Sequence, residues 1–121
     1  MPSQEDMKAA LQAYIDGFNS GDPAAVVALF AADATVEDPV GNPPITGRDA
    51  IGEFYANAVA SGAELRLDAP IRGSHGDAAA MAFTVEMPAM RIRVIDVMTF
   101  GEDGLITGMR AHWGPGDVET S

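Results

Sequence analysis

A chain of 121 residues with 47% hydrophobic content has the size of one domain with a real core, and its lack of cysteine excludes disulfide scaffolding and thiolate chemistry. A formal charge of −11, with Lys8 the single lysine among seven basic residues, argues against nucleic acid and anionic membrane surfaces as partners, since both need basic patches. The sequence has no apolar run long enough to span a bilayer, and the acidic opening "MPSQEDMK" lacks the basic-then-apolar pattern of a signal peptide, so a cytoplasmic location is expected.

Residues 4–19 read as a first helix, with Ser3 as its cap and Asp6 three residues on. Met7, Leu11, Tyr14, Ile15 and Phe18 recur at helical spacing and form one apolar stripe. "NSGD" breaks this helix, and Asp22 then caps a short second one, with Pro23 at its first position and Val26, Val27, Leu29 and Phe30 turned inward. "ATVEDPVG" follows, a β-like run in which Ala34, Val36 and Asp38 share one side and Thr35 and Glu37 the other. "GNPPITG" reads as a loop. "RDAIGEFYANAVA" is a third helix with Ile51, Phe54, Tyr55 and Val59 at its apolar positions, stopped by Gly62.

Beyond Gly62 the pattern changes to extended segments at roughly 63–73, 77–88, 91–100 and 105–113, separated by "SHGD", the stretch around Pro88, and "GEDG". Helices first and strands later indicate an α+β domain with helices on one face of a mostly antiparallel sheet. Neither an internal repeat nor a linker is visible, so residues 1–121 are expected to form a single domain, with about 115–121 a loose tail. His75 lies in a turn signal, and with His112 it matches no metal-ligand spacing, so neither a metal nor a cofactor is expected.

Four polar residues sit in apolar company. On strand 91–100, Asp96 shares a face with Ile92, Val94, Met98 and Phe100 and with no basic residue. An ionised carboxylate there costs several kcal/mol, so Asp96 is expected to hold its proton, unless a bulge turns it outward. Asp38 follows Val36 on the inward side, where a surface acid would belong with Glu37. Tyr14 and Tyr55 stand in the buried stripes of their helices, and each hydroxyl needs a partner, which for a core aromatic is commonly a backbone carbonyl. On strand 105–113, Leu105, Thr107, Met109, Ala111 and Trp113 share one face, and the Trp113 indole N–H wants an acceptor. Folded into one cavity, these two acids and two phenols would make an acid/base site without metal or nucleophile.

With Tyr14 mid-helix, "FAADATVEDPVG" around Asp38, "GRDAIGEFYANAV" around Tyr55, "VIDVMTF" around Asp96 and "MRAHWG" around Trp113, the sequence resembles the Δ5-3-ketosteroid isomerases, or steroid Δ-isomerases, of the NTF2-like/SnoaL-like superfamily. The likeness runs from the first helix to Trp113. Ketosteroid isomerases are themselves a known case of a carboxylic acid kept neutral at pH 7, so the expectation for Asp96 agrees with that case and is not independent of it.

The resemblance implies a conical α+β barrel around a deep apolar pocket, a homodimer, no cofactor and a small apolar steroid as substrate. It makes Asp38 the base that moves a proton from C4 to C6, and Tyr14 and Asp96 the donors to the C3 oxygen. Tyr55 would support Tyr14, and Trp113 would line the pocket near Asp38. Phe18, Phe54, Met81, Phe83, Val85, Met87, Ile92, Val94, Met109 and Ala111 would form the pocket wall. Phe30 stands where some members carry a further tyrosine, so the hydroxyl chain should end at Tyr55. The rival readings on this fold are a polyketide cyclase, an epoxide-opening hydrolase and a non-catalytic carrier of hydrophobic molecules. A cyclase or a carrier would have no need for Asp96, and a hydrolase would need more polar groups around a water.

Overall fold

A computed structural model describes residues 2–120. Helix α1 spans Gln4–Asn19, and its first turn is closed by the Ser3 hydroxyl, which accepts from the Asp6 N–H at 3.0 Å. The stripe expected from the sequence is the buried one, since Met7, Leu11, Tyr14, Ile15 and Phe18 are each at most 6% exposed. Full burial of such side chains contributes about 1.5–3 kcal/mol apiece, which gives α1 a strong reason to sit on the sheet.

Helix α2 is short, Pro23–Val27, with Asp22 accepting from the Ala25 N–H at 3.1 Å. Leu29 and Phe30, expected on this helix, lie beyond it. The Leu29 carbonyl accepts from the Ile106 N–H at 2.8 Å, and Phe30 opens strand β1, Phe30–Glu37. Sheet pairing thus overrides any extension of a helix that ends in two valines. Within "GNPPITG", Ile45–Thr46 form a two-residue strand, β2, paired with β1. Helix α3 covers Arg48–Ala60, and Gly62 follows at φ +80°, a conformation that favours glycine.

Four further strands extend the sheet: β3 (Glu64–Leu67), β4 (Ala78–Glu86), β5 (Met90–Phe100) and β6 (Ile106–His112). Their order is β2-β1-β6-β5-β4-β3, antiparallel except for the parallel pair β1–β6. The result is a curved, unclosed sheet with helices against its inner face, so the barrel implied by resemblance is an open cone. Strand β3 stops at Leu67, well short of residue 73, where the chain runs into Asp68, Ala69 and Pro70.

On β6 the expected alternation breaks. Ile106 is fully buried while Thr107 is exposed, because a register shift between Thr99 and Phe100 adds one residue to β6 at this point. Met109 and Ala111 return to the inner side.

The tail also differs from expectation. Residues Pro115–Asp117 form a 3-10 turn, and Val118–Thr120 form a strand, β7, paired antiparallel with Met90–Ile92 of β5. Strand β6 covers β5 only from Ile95 onward, so the start of β5 has backbone groups that need partners, and β7 supplies them. An Arg93–Glu119 ion pair of 2.8 Å accompanies this pairing at the surface. No helix among the described residues is long and apolar enough to cross a membrane.

Candidate active site

Between α1, α3 and the inner face of the sheet lies a cavity of about 240 Å³. Strand alternation brings Phe83, Val85 and Met87 of the β4 segment and Ile92, Val94 and Asp96 of β5 to its wall. Helical spacing brings Tyr14 and Phe18 from α1, and Phe54, Tyr55, Ala58 and Ser61 from α3 and its C-cap. Asp38, just past β1, and Trp113, just past β6, complete the polar end, because the parallel pairing of Glu37 with Arg110 brings the two strand ends side by side.

The sequence-predicted residues Phe18, Phe54, Phe83, Val85, Met87, Ile92 and Val94 therefore line the cavity. Met81, Met109 and Ala111 do not. Each is at most 2% exposed and packed into the core, since alternation gives the face of a residue but not its depth along the strand. Ala58, Ser61, Ala63 and Leu65 were missed. Ala58 and Ser61 continue the Phe54–Tyr55 stripe at helical spacing, but small or polar side chains leave no hydrophobic signal. Ala63 and Leu65 share a parity on the β3 segment that could have been read.

The polar groups fall into three arrangements. The Tyr14 and Tyr55 hydroxyls are 2.8 Å apart, with the rings edge to face and their centroids separated by 5.5 Å. Both tyrosines are buried, and desolvation, followed by their mutual interaction and the nearby acids for Tyr14, raises its pKa well above the ordinary value. The Tyr55 pKa is likewise raised well above the ordinary value by burial. Phe30 is fully buried beside Tyr55, at a centroid distance of 5.8 Å, and brings no donor to this pair.

Asp38 is half-buried, and the Trp113 indole N–H donates to its Oδ1 at 2.8 Å. Burial raises its pKa, and the indole bond works against that rise by stabilising the charged form. Asp96 is 1% exposed, and neither carboxyl oxygen meets a hydrogen-bond partner among the described residues. Desolvation, then the charge of Asp38, raises its pKa well above the usual carboxylate range. It stands opposite Met81 on β4 and Ala111 on β6, so its neighbours on the sheet offer nothing to bind.

Chemically, the cavity combines one carboxylate able to accept a proton with two groups that stay protonated and can donate. Such a set suits removal of a proton beside a carbonyl whose oxygen becomes negative.

Residues 11–109 match the SnoaL-like domain family. The chain is 45% identical over 117 residues to a steroid Delta-isomerase from Nocardioides simplex, covering 93% of this chain and 94% of that one. It is 33% identical over 125 aligned positions to the epoxide hydrolase LasB from Streptomyces lasalocidi, covering 97% of this chain but 44% of that protein. Among solved structures, that of the epoxide hydrolase/cyclase-like enzyme SalBIII, studied in pyran ring formation in polyether salinomycin, matches with a TM-score of 0.91 and 30% identity over the whole of both chains.

Proposed function

The chain belongs to the SnoaL-like domain family, and from that premise we propose that it is a steroid Δ-isomerase converting Δ5-3-ketosteroids to Δ4-3-ketosteroids. The C4 protons of such a steroid lie between the C3 carbonyl and the C5–C6 double bond. The Asp38 carboxylate takes one of them, the C4–H electron pair flows towards the C3 oxygen, and a dienolate forms. Tyr14 and protonated Asp96 donate hydrogen bonds to that oxygen as its charge grows. Protonated Asp38 then delivers the same proton to C6, which leaves the double bond conjugated with the ketone and restores the carboxylate. The reaction is redox-neutral and internal, so it needs no cofactor.

Asp96 carries this reading. A carboxylic acid buried without a protein partner would cost about 1–3 kcal/mol for the unmet group, and a ligand oxygen held also by Tyr14 would supply the missing contact. One oxyanion donor contributes about 2.7–4 kcal/mol and a positioned base about 10²–10⁴-fold, so each polar group has an effect large enough to measure. The two tyrosine hydroxyls share a 2.8 Å hydrogen bond, and in this mechanism Tyr55 is its donor, so that the Tyr14 proton is left for the substrate. Trp113 orients Asp38 and favours its ionised form against the effect of burial.

On the family resemblance, residues 1–121 act as a single domain, in a homodimer with a cytoplasmic location. The likeness to LasB and SalBIII supports a second reading, in which the same acids would open an epoxide. Spectroscopic detection of the conjugated enone formed from a Δ5-3-ketosteroid tests the isomerase reading. Absence of that product, with turnover of an epoxide of similar size, would favour the second.

A further inference from the structure

The cavity runs along one stripe of α3. Tyr55, Ala58 and Ser61 follow one another at a spacing of three residues, and exposure rises from 1% at Tyr55 to an open position at Ser61. Six residues of helix advance about 9 Å, which is comparable to the span of a four-ring skeleton. Five of the six lining residues with polar side-chain atoms, namely Tyr14, Asp38, Tyr55, Asp96 and Trp113, belong to the acid/base group. Ser61 is the sixth, alone at the mouth.

The Ser61 hydroxyl already has a use for its proton, which it donates to the Ala58 carbonyl at 2.6 Å. A serine hydroxyl carries one donor and two acceptor lone pairs, so with its proton engaged this lining residue has acceptor capacity left. Accepting a hydrogen bond from a ligand hydroxyl leaves the Ala58 bond in place. Donating to a ligand ketone would break it and leave Ala58 with only the 3.3 Å bond from the Ser61 N–H.

We propose that Ser61 is a specificity-determining residue that accepts a hydrogen bond from a hydroxyl at the outer end of the substrate, so that Δ5-3-ketosteroids with a C17 hydroxyl are preferred over those with a C17 ketone. This rests on the isomerase reading above. Because the outer end is remote from the reacting carbons, the contact is the same in ground and transition state, and the preference falls on KM and not on kcat. Ser61 is exposed, and competition from water limits the discrimination to about two- to tenfold, as for a single neutral hydrogen bond.

The test is steady-state kinetics with two Δ5-3-ketosteroids differing only at C17, using the unaltered protein, Ser61→Ala and Ser61→Thr, with folding checked by circular dichroism. The unaltered protein should favour the hydroxyl compound through KM, Ser61→Ala should bring the ratio to about one, and Ser61→Thr, which keeps the acceptor, should retain the preference. Turnover of both steroids without discrimination, or a preference that persists in Ser61→Ala, overturns the role of Ser61 and leaves the isomerase reading intact. Turnover of neither steroid overturns both.

Discussion

Asp38 and Asp96 are both inward-facing acids, yet their surroundings divide the work between them. Asp38 has a donor of its own in Trp113, which favours the charged form, whereas Asp96 has none and is pushed towards the neutral one by burial and by the charge of Asp38. Replacing Asp38 by Asn removes the proton acceptor but keeps shape and polarity. Asp38→Asn should therefore lower kcat by about 10²-fold or more with little change in steroid affinity, as read by turnover and by binding of a product steroid. At position 96 the comparison is between variants. Asn keeps an N–H donor and Ala keeps none, so Asp96→Asn should retain clearly more activity near pH 7 than Asp96→Ala, and equal losses in the two would mean that Asp96 does not act as a donor. Both acids were legible in the sequence because strand alternation assigns a face to every residue between two turns. Ser61 and Ala58 were not, since a serine and an alanine are equally at home on a solvated helix end.

At the scale of elements, β3 is paired with β4 on one side, and on its outer edge it is clamped by a side chain of α1. The Asn19 amide donates to the Leu65 carbonyl and accepts from the Leu65 N–H, both at 2.8 Å, so it pairs with this edge strand as a neighbouring peptide group would. Leu65 lines the cavity, and loss of the amide would leave two backbone groups of that strand unmet. Asn19→Ala should cost about 1–3 kcal/mol by denaturant unfolding and raise KM more than it lowers kcat. An unchanged midpoint and an unchanged KM would show that β3 holds its place without the clamp. In the sequence, Asn19 reads only as part of the breaker "NSGD", because its use depends on a partner 46 residues away. The caps at Ser3 and Asp22 were readable, since each closes a hydrogen bond three residues along. The bulge at Thr107 was hidden because it depends on the register that β6 takes against β5 across the turn after Phe100, and the pairing of β7 with β5 because its partners at Met90–Ile92 lie far back in the chain.

For the molecule as a whole, a site that keeps an acid neutral in an apolar cavity carries a pH-dependent liability. The pKa of Asp96 is raised in the folded protein, so between its unfolded and folded values the native state holds a proton that the unfolded chain releases. Stability therefore falls as pH rises through that interval, and the contribution of the neutral acid is complete only below the unfolded pKa. Asn has no proton to lose. The Tm of Asp96→Asn relative to the unaltered protein should then climb as pH rises above the ordinary carboxylate range, and a constant difference would mean that Asp96 titrates alike in both states. The α+β class was legible from three helical patterns followed by extended ones, but the order of strands was not. Local patterns say which side of a strand is buried and nothing about which strand lies beside it. Here the first strand ends up between β2 and β6, the latter beginning only at Ile106. On the ribosome, at about 5–20 residues per second, β1 is finished several seconds before its parallel neighbour exists. Until then the nascent chain carries Tyr14, Asp38 and Tyr55 with no cavity to receive them, and the inward face of Ala34 and Val36 lies open to other chains. Slowing synthesis between Glu37 and Ile106 would prolong that exposure, so yield in a host cell should depend on chaperone supply more than the small size of the protein suggests.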